Sequence, residues 1–101
     1  MIRHIIFFTV LPKHYEAVRS SLAILLDIPH AQLLEIGDNL RIDSWSNEVD
    51  LVVYGEFYNQ ESLNSFKKHP LYQQSIARVR HLRDMRFVAD YDTDCAAKLP
   101  I

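Results

Sequence analysis

The side chains able to carry acid–base chemistry in this sequence are few and widely spaced. His4 stands inside the apolar run Ile2–Val10. Alternation along a strand places it on one face with Ile6 and Phe8. An imidazole titrates at roughly pH 6.5, so any general base is expected to be His4, whose plainer reading is a partly exposed, hydrogen-bonded histidine beside a strand start. Asp90, at the end of the run Met85–Tyr91, shares a side with Val88. His69 precedes Pro70, and a histidine at a helix C-terminus interacts well with the dipole and the last carbonyls. A structural role is expected there ahead of a catalytic one. Arg78, Arg80, His81, Arg83 and Arg86 form a basic run. Such a run either solvates a helix end and pairs with acids or forms a specific anion site.

Other chemistries find less support. Asp90, Asp92 and Asp94 alternate and could attract Mg²⁺ or Ca²⁺. They lack a rigid loop with a glycine turn, and no metal site is assigned to them. Cys95 sits in a polar tail with no histidine close in sequence, which argues against a catalytic thiol. There is no phosphate-cradling glycine loop, Cys/His metal cluster or nucleophile motif, and no cofactor is expected.

The elements that must position these residues follow from periodicity. A strand is expected over Ile2–Val10, closed by Leu11-Pro12. From Lys13 to Asp27 apolar residues recur at Tyr15, Val18, Leu22, Leu25 and Leu26, a helical stripe. Pro29 ends it, because the residue before a proline is pushed out of helical geometry. A second strand is expected at Gln32–Gly37, then a polar loop over Asp38–Asp50 with a further short strand near Leu40–Ile42, then a third strand at Leu51–Phe57. Asn59 is placed to cap the next helix, and Pro70 must interrupt it. A further helix carries Tyr72, Ile76 and Val79 on one stripe, and Met85–Tyr91 forms the last strand. The order β-α-β-β-α-α-β is a ferredoxin-like split βαβ arrangement in the α+β class, with an antiparallel sheet and helices on one face.

Composition sets the bounds. The 101 residues amount to one domain, and 49% of them are hydrophobic and 11% aromatic. That is more apolar material than one thin core requires. In the first strand Ile5 and Phe7 point one way while Ile6, Phe8 and Val10 point the other, and Leu51–Phe57 repeats the pattern. Helices of the same chain can cover one such face, so something else must cover the other: a second subunit, which is the expectation, or the long loop of a monomer folded over it. A net charge of −2 argues against general nucleic-acid binding. No run approaches the roughly 20 apolar residues of a membrane span, and the polar Lys13-His14-Tyr15-Glu16 argues against a signal peptide. One cysteine fits a reducing compartment, and a cytoplasmic location is expected.

The strand Arg3-His4-Ile5-Ile6-Phe7-Phe8, followed after Phe57 by Gln60-Glu61-Ser62-Leu63 and Phe66-Lys67-Lys68-His69-Pro70-Leu71-Tyr72, resembles the stress-responsive α/β-barrel (Dabb) family. The resemblance covers Met1 to about Asp92, leaving 93–101 as a C-terminal tail. It implies a homodimer whose paired sheets enclose a barrel, with an apolar pocket on the open face of each sheet. In polyketide-cyclising members the residue matching His4 faces the cavity, and an aspartate matches Asp90. Their second histidine is Tyr72 here, and their substrate-contacting tyrosine is Phe66. A phenol titrating at roughly pH 10 is a poor general base. Tyr72 is therefore expected to donate a hydrogen bond and to meet Asp90, with His4 nearby. The implied catalytic set is His4, Tyr72 and Asp90, and the implied ligand-binding set is Ile6, Phe8, Val53, Phe66, His69 and Val88. Three functions are compatible with this resemblance. One is a dimer that binds or cyclises a small apolar or polyketide-like ligand without cofactor. Another is a stress-associated structural dimer with a filled barrel, and the third is a cofactor-free monooxygenase.

Overall fold

The computed structural model describes residues 1–45 and 48–99. Residues 46 and 47 of the expected Asp38–Asp50 loop, and residues 100 and 101 of the tail, lie outside them. The strands are β1 (Ile2–Val10), β2 (Ala31–Asp38), β3 (Leu51–Phe57) and β4 (Arg83–Asp92), and the helices are α1 (Tyr15–Leu22), α2 (Gln60–Lys68) and α3 (Pro70–Val79). The sheet runs β2-β3-β1-β4 with every pairing antiparallel. This is the ferredoxin-like arrangement that the element order implies.

The two faces of the sheet differ sharply. Ile6, Phe8, Leu51, Val53 and Phe57 lie under the helices, each at most 3% exposed. They meet Val18 and Leu22 of α1, Leu63 and Phe66 of α2, and Tyr72 and Val79 of α3 in one hydrophobic core. On the other face Ile5 stands between Tyr54 and Ala89, and Phe7 between Val52 and Phe87. Among the described residues no element covers this row, and Phe87 is 55% exposed. At one end the row turns polar, where Arg3 lies opposite Glu56 and Tyr91.

Local chemistry explains the boundaries. The expected helix from Lys13 to Asp27 is broken into a 3₁₀ turn at Pro12–His14, α1, and a second 3₁₀ stretch at Ala23–Asp27. The Ser20 hydroxyl bonds the Ala17 carbonyl within it, and such back-bonding weakens a helix. Leu26 consequently points outward, 54% exposed. The short strand expected near Leu40–Ile42 does not form. Arg41 has φ 58°, a left-handed conformation that no strand accommodates. Asn59 caps α2 by accepting from the Ser62 N–H at 2.9 Å. Pro70 divides the two helices as expected, because His69 between them is extended, with ψ 141°. Among the described residues no helix is long and apolar enough to cross a membrane.

Candidate functional site

β1 and β4 are neighbours, and their register sets His4 directly opposite Asp90. Both side chains therefore emerge on the helix-covered face, and Nδ1 of His4 bonds Oδ1 of Asp90. A carboxylate only accepts, so Nδ1 carries the proton and Nε2 keeps its lone pair. The His4 side chain is fully buried, whereas Asp90 remains about one-third exposed. Asp90 is held from its other oxygen by Lys67, whose Nζ lies 4.0 Å away. Burial pushes the His4 pKa below its ordinary value and outweighs the pull of Asp90, with Lys67 and Arg86 adding to the depression. The ring is thus a neutral base whose tautomer is fixed. Among the described residues its Nε2 is buried and has no hydrogen-bond partner.

Gly55, opposite His4 on β3, leaves room for the ring of Phe57. A Cβ on Gly55 would lie 2.8 Å from the Phe57 ring, so a side chain there would force that ring to shift. Edge-to-face contacts then run from His4 to Phe57 at 6.3 Å, from Phe57 to Phe66 at 5.0 Å and from Phe66 to Tyr72 at 5.5 Å. Tyr72 opens onto a cavity of about 210 Å³ between the sheet and the helices, whose walls include Ile6, Phe8, Leu22, Leu25 and Val79. The space formed within one chain thus lies on the helix side of the sheet, whereas the pocket expected on the open face would need a second subunit to close it. Among the described residues no element covers the open face.

The residues expected at the site are therefore divided. His4 and Asp90 form one polar pair, while Tyr72, Ile6 and Phe8 line the cavity. The expected hydrogen bond between Tyr72 and Asp90 is absent, because the β1–β4 register hands Asp90 to His4. Val53 and Phe66 are buried core residues outside the cavity lining, and Val88, beside Ile6 in the register, is 47% exposed. His69 belongs to helix capping: its Nδ1 accepts from the Leu71 N–H at 3.1 Å. That bond is at the start of α3, and the expected contact with the last carbonyls of α2 is replaced by the His69 backbone N–H bonding Phe66 O at 3.2 Å. The tail carboxylates do not converge, since Asp92 bonds the Asp94 N–H while Asp90 faces His4. Among the described residues no group of three His, Cys, Asp or Glu side chains is arranged to hold a metal ion. Sequence reading missed Ser75 and Ile76 as cavity residues, although the α3 stripe of Tyr72, Ile76 and Val79 pointed to that face.

Solved structures share the whole architecture. A dimeric ferredoxin-like protein of unknown function from Thermobifida fusca is 21% identical, with 89% of this chain and 88% of that one covered at a TM-score of 0.75. At3g17210 from Arabidopsis thaliana is 16% identical, covering 97% of this chain and 100% of that one at a TM-score of 0.76. A Deinococcus radiodurans protein provisionally named an antibiotic biosynthesis monooxygenase is 14% identical, with 98% of both chains covered and a TM-score of 0.78. No curated protein matches the sequence. The family model of the Stress responsive A/B Barrel Domain, Dabb, matches residues 2–93. With its strand order, its His-Pro break and its helix-covered core all within that span, the chain belongs to the Dabb family.

Proposed function

We propose that this Dabb protein works as a cytoplasmic homodimer whose helix-side cavity binds a small apolar or polyketide-like molecule, on which His4 acts as general base without a cofactor. The observation that carries this reading is the Nε2 atom of His4, buried and unpartnered among the described residues, on a ring whose other nitrogen bonds Asp90. A buried polar atom without a partner costs about 1–3 kcal/mol. A ligand hydroxyl or an acidified C–H would give it one. Asp90 fixes the tautomer and would stabilise the imidazolium formed when the proton moves, as an orienting carboxylate does for a catalytic histidine. Tyr72 would polarise a ligand carbonyl by donating its hydroxyl hydrogen. The open face, with Ile5, Phe7 and Phe87 uncovered, supports association of two sheets, and the Thermobifida fusca relative is described as dimeric.

A second reading, ligand binding without turnover, draws on the full burial of His4 and on its absence from the cavity lining. Side-chain NMR separates the two. A titration with a small aromatic ketone should shift the His4 ring signals, and His4→Ala and Tyr72→Phe should each weaken the binding. Binding that leaves the His4 ring unmoved and survives His4→Ala would eliminate its role as base.

A further inference from the structure

One wall of the helix-side cavity is cationic. Arg80, Arg83 and Arg86 line it, opposite an apolar floor. Arg80 directly follows α3, while Arg83 and Arg86 open β4, where they lie opposite Val10 and Phe8. Two regular elements and the tight turn between them therefore fix all three positions, and the Leu82 N–H bonds the Val79 carbonyl across that turn at 2.9 Å.

None of the three has a carboxylate partner among the described residues. Their one side-chain hydrogen bond among those residues is from Arg83 to the Asp84 carbonyl, at 3.4 Å. The chain has acids to spare, 13 against 11 lysines and arginines, yet it directs them elsewhere. Asp38 pairs with Arg19, and Asp50 with Arg41. The C-terminal dipole of α3 accounts for a cation at Arg80. It does not account for Arg86, which stands on a strand beside Phe8. Three arginines on one cavity lining favour an anion there, and their planar forks match a carboxylate.

We infer that the ligand of this cavity is an amphipathic carboxylate, its anionic head held by Arg80, Arg83 and Arg86 and its apolar body lying over Phe8 and Ile6. The inference rests on the proposal above that the cavity holds a ligand. The size follows from the volume: a cavity of roughly 150 Å³ accepts benzene, so about 210 Å³ suits one aromatic ring with a short substituent.

The test is calorimetric titration of the intact protein with 4-ethylbenzoate and with 4-ethylbenzamide, its neutral counterpart. The carboxylate should bind about tenfold more tightly, as a charge-assisted bidentate contact gives. High salt should weaken the carboxylate and leave the amide unchanged. Arg83→Gln and Arg86→Gln should each lower carboxylate affinity about threefold or more while sparing the amide. Ile76→Trp, which fills the cavity, should abolish both. Equal binding of the two probes, insensitive to salt and to the arginine changes but lost in Ile76→Trp, would overturn the carboxylate inference and leave the cavity reading standing. Binding of neither probe to the unmodified protein would overturn both. The salt dependence needs no variant, so a misfolded substitution leaves the inference open to refutation.

Discussion

The helix-covered and open faces of the sheet are built from nearly equally apolar strands, yet the chain treats them differently. On the covered face Leu51, Val53 and Phe57 are fully buried, and a histidine fits among them only with its own aspartate. On the open face Phe7, Leu33, Phe87 and Tyr91 stand 36–55% exposed. Apolar content alone does not tell a core from a surface awaiting a partner; the helices make that distinction. The covered face holds the cavity and the His4–Asp90 pair, and the open face is the one available for assembly.

The largest expected effect is on the covered face. Phe57→Ala removes a ring that contacts both His4 and Phe66, and should cost about 3–5 kcal/mol. Chemical denaturation should show this loss at every protein concentration. Phe87→Glu on the open face should act instead through association: if two sheets pair as proposed, light scattering after gel filtration should report a dimer for the unmodified protein and a monomer for the variant, because a buried unpaired charge is costly. A dimer that survives Phe87→Glu, or a stability loss from Phe57→Ala that depends on concentration, would collapse the distinction between the faces.

A smaller effect follows from protonation. The folded-state pKa of His4 lies below its ordinary value of 6.5 because of burial. Below that pH the unfolded chain binds the proton more readily than the folded one. His4 therefore favours folding fully above about pH 6.5, and that contribution is lost as pH falls through the depressed folded-state value. A plot of stability against pH should decline on the acid side of 6.5, and His4→Gln should flatten this part of the curve. A decline of the same size in His4→Gln would assign it to another group. The smallest effect belongs to neither face: Asn59→Ala removes the cap of α2 and should cost about 1 kcal/mol in thermal unfolding.

Much of this architecture was legible because local chemistry sets it. Val, Tyr and Leu concentrate in Leu51–Phe57, which is β3 to the residue, and Pro70 separates α2 from α3 whatever surrounds it. The candidate site was legible only in part. The sequence places Asp90 and His4 on strands, but which residue faces which depends on the β1–β4 register, set by contacts across almost the whole chain. Hence Asp90 could be expected beside Tyr72 when it bonds His4. Which face receives the helices was hidden for a related reason: both faces are apolar, and alternation fixes the two sides of a strand without labelling them. The cavity volume depends on how far the helices stand off the sheet, which no residue pattern encodes.

The strand order has a kinetic consequence. β1 is central and comes first in the chain, yet one of its two neighbours is β4, so that Ile2 pairs with Asp92. Closing that pairing joins the most distant strands, and such non-local contacts slow folding. Until β4 arrives, β1 presents a free edge rich in Ile and Phe, the kind of edge that recruits strands from other molecules. A nascent or truncated chain lacking Arg83–Asp92 should therefore aggregate instead of populating a folded three-stranded intermediate, and soluble yield during synthesis should depend on how quickly the last strand docks.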